Sequence, residues 1–173
     1  MKKWILWICI IVFVASITLQ LVAQPEPVDP VNWRKLAPFL TDLKGWETSG
    51  KINGSTVSTG TFKMSIVKGD FVRDGRKLEI QITDGGYVPM AYAAFKAMSQ
   101  FEIDTSDEYV KKTKIKEFVA IETYQFKRKM ATIIILVVDR FMVQLEARGM
   151  KDTSELKAIA QLLDLKALAA LAK

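Results

Sequence analysis

The pattern of apolar and polar positions separates an apolar N-terminal segment from a longer part with mixed periodicities. Residues 4–15 are uncharged and largely apolar, follow two lysines, and lead into a more polar stretch that ends at Ala23. This order is typical of an export signal, which predicts a signal peptide at residues 1–23. The alternative is a retained N-terminal anchor, since about 20 apolar residues can span a bilayer. Both interpretations place the remainder outside the cytoplasm.

The segment after the apolar stretch predicts a linker and then an interrupted helix. Residues 24–29 contain two prolines and no apolar periodicity, as an extended linker does. Asp29 and Pro30 are residue types found at a helix start. Apolar residues recur with helical spacing over 33–40, but Pro38 removes a hydrogen bond and clashes with the preceding turn. We expect two short helical pieces or a kink there.

The middle of the chain changes to a period of two, which predicts half-buried strands. Alternation is clear over 62–67 and 78–83, and the dipeptide Asp74-Gly75 between them favours a hairpin. Four more strands are predicted at 109–116, 118–126, 131–138 and 141–147. The strand at 131–138 is apolar without alternation, which predicts the centre of a sheet that is covered on both faces.

Two further helices complete the predicted fold. Ala91, Ala94, Phe95 and Met98 have the spacing of one apolar helical face after Pro89. At the C-terminal end, capping residues at 152–154 precede an amphipathic pattern that runs to Leu163. After the N-terminal signal or anchor helix, we therefore expect one α+β domain at 30–173, a single antiparallel sheet of about six or seven strands with helices packed on its faces.

Two stretches, GTFKMSIVKGDFVRDGRKLEIQITDGG and VVDRFMVQLEARGMKDTSELKAIAQLLDLKALAALAK, resemble an uncharacterised family of exported bacterial α+β domains. That family shares a strand ending in I-x-D, a strand of the R-F-x-V type and a C-terminal D-L-K-x-L helix. The order of elements is also similar to the PsbP-type α/β/α sandwich. The resemblance implies an exported domain but no functional residues, because the shared motifs concern packing and turns. Lys116-Glu117 departs from the family, which tends to have glycine before Phe118.

The amino-acid composition limits which catalytic mechanisms and metal sites the chain can support. The chain has no histidine, and its one cysteine, Cys9, lies in the apolar N-terminal segment. A Ser-His-Asp triad, a histidine metal site and, in the exported part, a thiol nucleophile or zinc cluster are therefore excluded. We expect no enzyme, no catalytic residue, no metal site and no cofactor. Without Lys2 and Lys3, the exported part has 23 basic and 19 acidic residues, and this mild net charge of +4 predicts weak attraction to anions rather than nucleic-acid binding.

Basic residues form one candidate docking site. They are Lys112, Lys114 and Lys116 on one face of a predicted strand, and Lys127, Arg128 and Lys129 in the next hairpin turn. The functional interpretation is docking of anionic lipid headgroups, polyanionic envelope polymers or an acidic protein. The alternative is that these lysines protect an exposed sheet edge against aggregation.

A second candidate site is an apolar pocket around the helix that follows Pro89. Its residues are Met90, Phe95, Met98 and Phe101, which are equally typical of core packing. The preceding turn, residues 84–86, offers backbone N–H groups to an anion, although glycines that supply a positive φ explain it as well.

Two functions fit these observations. The first is an exported, non-catalytic accessory or binding domain of the bacterial cell envelope, periplasmic or secreted, with an envelope protein or an anionic envelope surface as partner. If residues 1–23 are uncleaved, the domain is membrane-anchored, faces the periplasm and meets the membrane only through them. The alternative function is a carrier of a small apolar or amphiphilic ligand between sheet and helix.

Overall fold

The computed structural model describes residues 29–41, 43–59, 62–85 and 88–172, without the side chains of residues 88–92. The predicted signal or anchor and nearly all of the predicted linker lie outside these residues. Among the helices of the described part, none is both long and apolar enough to cross a bilayer.

The described residues form an antiparallel sheet of nine strands. The strands are β1 (Glu47–Thr48), β2 (Asn53–Thr59), β3 (Phe62–Arg73), β4 (Arg76–Gly85), β5 (Ile103–Asp104), β6 (Glu108–Ile115), β7 (Phe118–Gln125), β8 (Met130–Val137) and β9 (Phe141–Arg148). Their order is β1-β3-β4-β9-β8-β7-β6-β5, and β2 also pairs with β3. The central position predicted for residues 131–138 is confirmed, because β8 lies between β9 and β7.

The helices of the described part are short. They are α1 (Trp33–Leu36), followed by a 3-10 turn (Ala37–Leu40), α2 (Val88–Met98), α3 (Ser154–Leu162) and α4 (Leu165–Ala170). The predicted fold class, a sheet of six or seven strands with helices packed on its faces, is therefore wrong. The nine-stranded sheet dominates, and short helices accompany it.

The strands absent from the prediction have no apolar alternation. β2 has the sequence NGSTVST, and almost all of its residues are exposed, so it is held to β3 by backbone pairing rather than by a buried side-chain row. β1 and β5 contain only two residues each, which is too short for a period to be recognised.

One face of the sheet, here called the inner face, carries the main core. Ile80 of β4 and Ile133 of β8 both lie opposite Leu145 of β9, and all three are fully buried. Leu156 and Ile159 of α3 belong to the same cluster. The predicted C-terminal helix thus buries the expected residues, but it ends at Leu162 and a second helix begins after it.

Side-chain caps mark the starts of two helices, α1 and α4. The predicted break at Pro38 is confirmed, since α1 ends at Leu36 and a 3-10 turn follows. The cap of α1 is Asn32 rather than Asp29, because the Asn32 side chain accepts a hydrogen bond from the Arg34 amide (3.0 Å). In the same way, Asp164 accepts a hydrogen bond from the Ala167 amide (3.0 Å) and starts α4.

A buried ion pair joins distant parts of the chain at one end of the inner face. The Arg140 guanidinium donates to both carboxylate oxygens of Asp84 at 2.9 and 3.1 Å, and the Asp84 side chain is 1% exposed. The Val31 amide donates to the same carboxylate (2.7 Å), and Arg140 also donates to the carbonyls of Asp29 (2.9 Å) and Ala172 (3.4 Å). This pair therefore connects both ends of the described chain to the sheet.

The turn before Arg140 contains a residue in an unfavourable backbone conformation. The Arg140 amide donates to the Val137 carbonyl (3.2 Å), and Val138 and Asp139 both have positive φ, 46° and 55°. Two such residues define a type I′ turn, which favours Asn and Gly and disfavours β-branched side chains. Val138 is 46% exposed, so its packing does not offset this cost.

We therefore expect the substitution Val138→Asn to raise the free energy of unfolding by about 1 kcal/mol, because asparagine adopts positive φ more readily. Urea denaturation followed by circular dichroism measures the change. Val138→Ala is the control: it removes the branch but not the preference against positive φ, so it should give a smaller gain. A loss of stability in the Asn variant would show that the valine side chain contributes packing.

Candidate docking surface

Helix α2 lies on the outer face of the sheet, opposite the main core. Phe95 packs with Val110 of β6, Ile121 of β7 and Leu136 of β8, and each of these side chains is less than 10% exposed. The helix therefore covers the outer face where β6, β7 and β8 run side by side, and its C-terminal end leads towards the sheet edge.

Three apolar residues that follow this contact remain exposed. Met98 is 45% exposed, Phe101 is 65% exposed and Ile103 is 41% exposed. The Phe101 amide donates to the Met98 carbonyl (3.2 Å), which keeps the two residues close at the helix end. Ile103 pairs with Val110 across β5 and β6, so both side chains lie on the outer face. The three exposed apolar residues, here called the apolar border, lie between the end of α2 and β5, with the exposed Glu102 between Phe101 and Ile103.

Two exposed lysines continue from this border along β6. Lys112 lies opposite Ile121 and Lys114 lies opposite Val119, and both partners belong to the apolar cluster around Phe95. The two lysines therefore lie on the outer face, and neither forms an ion pair within the described residues. We call Met98, Phe101, Ile103, Lys112 and Lys114 the edge patch.

Most of β6, the strand that carries these lysines, has no partner strand on its outer side among the described residues. β5 pairs only with Tyr109 and Val110, so in the described part of the chain no strand pairs with the outer edge of β6 from Lys111 to Ile115. Lysines on an exposed edge hinder the addition of another chain as a strand. This position supports the protective interpretation of the lysines and leaves their ammonium groups accessible.

The other predicted basic residues lie elsewhere. Lys116 donates to the Leu163 carbonyl (2.7 Å) beyond the end of α3. Lys127 pairs with Asp107 (2.6 Å), and Arg128 and Lys129 belong to the same turn after β7. The turns at the two ends of β7 are separated by eight residues, or about 26 Å of strand. The structure does not bring the six predicted basic residues together.

The residues of the predicted apolar pocket also separate. Phe95 is buried against the sheet, whereas Met98 and Phe101 are exposed, and the side chain of Met90 lies outside the described residues. An open cavity of about 490 Å³ lies instead at another corner, next to Trp46 and the turn between β3 and β4. The carrier hypothesis stays a prediction.

A polar network on the inner face holds the segment before α3 to the sheet. Glu122 of β7 is 7% exposed, accepts a hydrogen bond from the Thr153 hydroxyl (2.7 Å) and pairs with Lys157 (3.0 Å). The Tyr109 hydroxyl hydrogen-bonds to Thr153 (2.9 Å). A glutamate within the otherwise apolar stretch FVAIETY is the sequence signal for such a buried partner. Because these groups bind one another, the network is a structural one.

Two titratable groups next to this network have shifted pKa values. Burial raises the pKa of Tyr124, whose hydroxyl donates to the Met150 carbonyl (2.8 Å). The Ser154 amide donates to Asp152 (2.7 Å) and lowers the pKa of that carboxyl group. Both shifts favour the protonation state that the hydrogen bonds require. The Tyr124 bond holds Met150 to β7, whereas the Asp152 bond is local to the turn before α3.

No family model matches this chain, and neither a curated protein nor a solved structure is significantly similar to it. The resemblance to exported bacterial domains and to the PsbP-type sandwich therefore stays a prediction.

Proposed function

We propose that this chain is an exported, non-catalytic binding domain of the bacterial cell envelope, and that the edge patch docks it to an anionic partner. The observation that carries the proposal is the presence, at an open sheet edge, of two lysines that form no ion pair with any described residue and of three exposed apolar side chains next to them in the fold. Single exposed apolar residues are common on soluble proteins, but adjacent ones bordered by polar groups mark interaction sites.

The contrast with another part of the outer face supports this choice. Lys68 of β3 forms an ion pair with Glu79 of β4 (2.6 Å), which raises the pKa of Lys68. That lysine is locally neutralised by its neighbour. Lys112 and Lys114 have no such partner in the described part of the chain, so their charges remain available to an anion in solution.

Export is supported by the sequence of residues 1–23 alone. A basic start followed by an apolar run directs the remainder out of the cytoplasm whether or not the segment is removed. Fractionation of the host cells and mass determination of the purified protein test this part. Recovery of the protein in the cytosol would contradict it.

Docking is tested with the exported form and with an envelope fraction from its own host. We expect the double variant Lys112→Gln, Lys114→Gln to be retained several-fold less than the wild type at low salt, with a smaller difference at about 0.15 M salt, where exposed charges are screened. The matched control is Lys35→Gln, Lys44→Gln, which removes the same charge from two exposed lysines outside the edge patch. Equal retention of all three proteins would refute docking through the edge patch.

A further inference from the structure

We infer that the anionic partner is a lipid surface, with Phe101 and Met98 inserted at the interface while Lys112 and Lys114 contact the headgroups. The inference rests on the proposed function and names its partner. It places a membrane contact in the folded domain, outside the apolar segment at residues 1–23.

The shape of the apolar border favours a bilayer over a peptide. A peptide that docks by side chains needs a groove for its anchors. A peptide that docks as a strand needs an accessible backbone edge, and at the open edge of β6 the lysines hinder such addition. Phe101 is 65% exposed and Met98 is 45% exposed, so these side chains project from the surface instead of lining a groove. Projecting apolar side chains next to basic ones suit the boundary between headgroups and acyl chains.

The chemistry of the charged groups also favours a lipid surface as the partner. Both cations of the edge patch are lysines, which attract anions as point charges on flexible stems and lack the bidentate geometry of arginine. Such groups suit headgroups that are mobile and not arranged in one fixed geometry. Their aliphatic stems also tolerate an apolar environment while the ammonium groups reach the polar layer.

The register of β6 predicts an order of importance for the two lysines. Residues on one face of a strand are about 7 Å apart, so Lys112 is about 7 Å from Val110 and Lys114 is about 14 Å from it. Val110 lies opposite Ile103 of the apolar border. With the apolar border inserted at the interface, Lys112 lies nearer to the headgroup layer than Lys114. Attraction to a charged surface falls off within about 8 Å at physiological salt, so Lys112 should contribute more than Lys114.

The test uses the exported form and protein-free vesicles, either of phosphatidylcholine alone or with about one third phosphatidylglycerol. In sedimentation with anionic vesicles at low salt, the variant Lys112→Gln should bind about fivefold more weakly than the wild type. A basic residue at an anionic surface contributes about 1 kcal/mol to the binding free energy. Phe101→Ser should weaken binding about tenfold, because the apolar ring no longer leaves water. The matched control is Leu162→Ser, which changes an apolar side chain of α3 that is 56% exposed.

A second readout reports insertion directly and applies whether or not residues 1–23 are retained. In a Cys9→Ser background, an environment-sensitive fluorophore is attached to Phe101→Cys or, as the control, to Leu162→Cys. Emission at position 101 should shift to shorter wavelength with anionic vesicles and much less with neutral ones, and emission at position 162 should not shift.

The outcomes separate the inference from the proposed function. Retention on the host envelope without binding to protein-free vesicles would overturn the lipid inference and leave a protein or polymer partner in place. Loss of edge-patch dependence in both the envelope assay and the vesicle assay would overturn the proposed function and the lipid inference together. A fluorophore at position 101 that is shielded before vesicles are added would show another occupant, either a second copy of the chain or residues 1–23, and would also overturn the inference.

Discussion

Replacing Asp84 with alanine is expected to lower the free energy of unfolding by about 3–5 kcal/mol, because it leaves a largely buried guanidinium without its counter-charge. The Arg140 side chain is 17% exposed and donates twice to Asp84. The Val31 amide would also lose its acceptor. Denaturant unfolding of wild type and variant, monitored by circular dichroism, measures the difference.

A second ion pair on the same strand provides a matched control. Glu79 of β4 pairs with Lys68 at 2.6 Å, but both side chains are about 40% exposed. We expect Glu79→Ala to cost less than about 1 kcal/mol, since exposed pairs are weakened by solvent and by side-chain entropy. In a double-mutant cycle, Arg140→Ala should reduce the cost of Asp84→Ala. Similar losses for Asp84→Ala and Glu79→Ala would show that burial does not strengthen the pair at Arg140.

Replacing Gly85 with alanine should cost at least about 3 kcal/mol, because steric overlap is added to backbone strain. Gly85 has a φ of 107°, which side-chain-bearing residues rarely adopt. An added Cβ would overlap the backbone carbonyl oxygen of Lys63 and lie 3.0 Å from the Cα of Met64. Because both contacts are with the neighbouring strand's backbone, a rotamer change cannot relieve them. The stability of the variant is measured by the same unfolding experiment.

A substitution at Gly75 separates the effect of steric overlap from the effect of backbone strain. It also has a positive φ, 73°, but a Cβ added there would meet no atom within 4 Å. Gly75→Ala should therefore cost only the backbone term, about 1–2 kcal/mol. If Gly75→Ala lowers the free energy of unfolding as much as Gly85→Ala does, the whole effect is due to the positive φ. A small decrease for Gly85→Ala would show that β3 moves aside.

Local sequence patterns were sufficient for elements with a strong period or a strong turn signal. The hairpin at Asp74-Gly75 is confirmed by the pairing of β3 with β4, and both turn residues have positive φ. The break at Pro38 is confirmed for an equally local reason, the loss of a backbone donor. The four strands β6 to β9 are also confirmed, because short polar turns separate runs of apolar or alternating residues.

The candidate site was only partly predictable. Lys112 and Lys114 are exposed on one face of a strand, as alternation predicts, but alternation does not extend through the turn to Lys116, whose ammonium group contacts the C-terminal end of α3. Met98 and Phe101 have the spacing of core residues and are nevertheless exposed. Helical spacing shows which residues share a face but not how far the sheet beneath them extends.

The sequence by itself determined the approximate positions of the strands with strong periods, the buried apolar row of β4, and the absence of histidine. It did not determine the buried face of β3, where Ser65 and Val67 are buried and the apolar Met64 and Ile66 are only half-buried.

Only the tertiary structure decided that polar β2 joins the sheet, that Asp84 meets Arg140 across 56 positions, and that Ile103 lies opposite Val110, two residues from Lys112 on the same strand. The physical reason is the sequence separation over which each interaction acts. Periodicity and turn chemistry act over a few residues, whereas strand order and ion pairs between distant positions depend on how the whole sheet assembles.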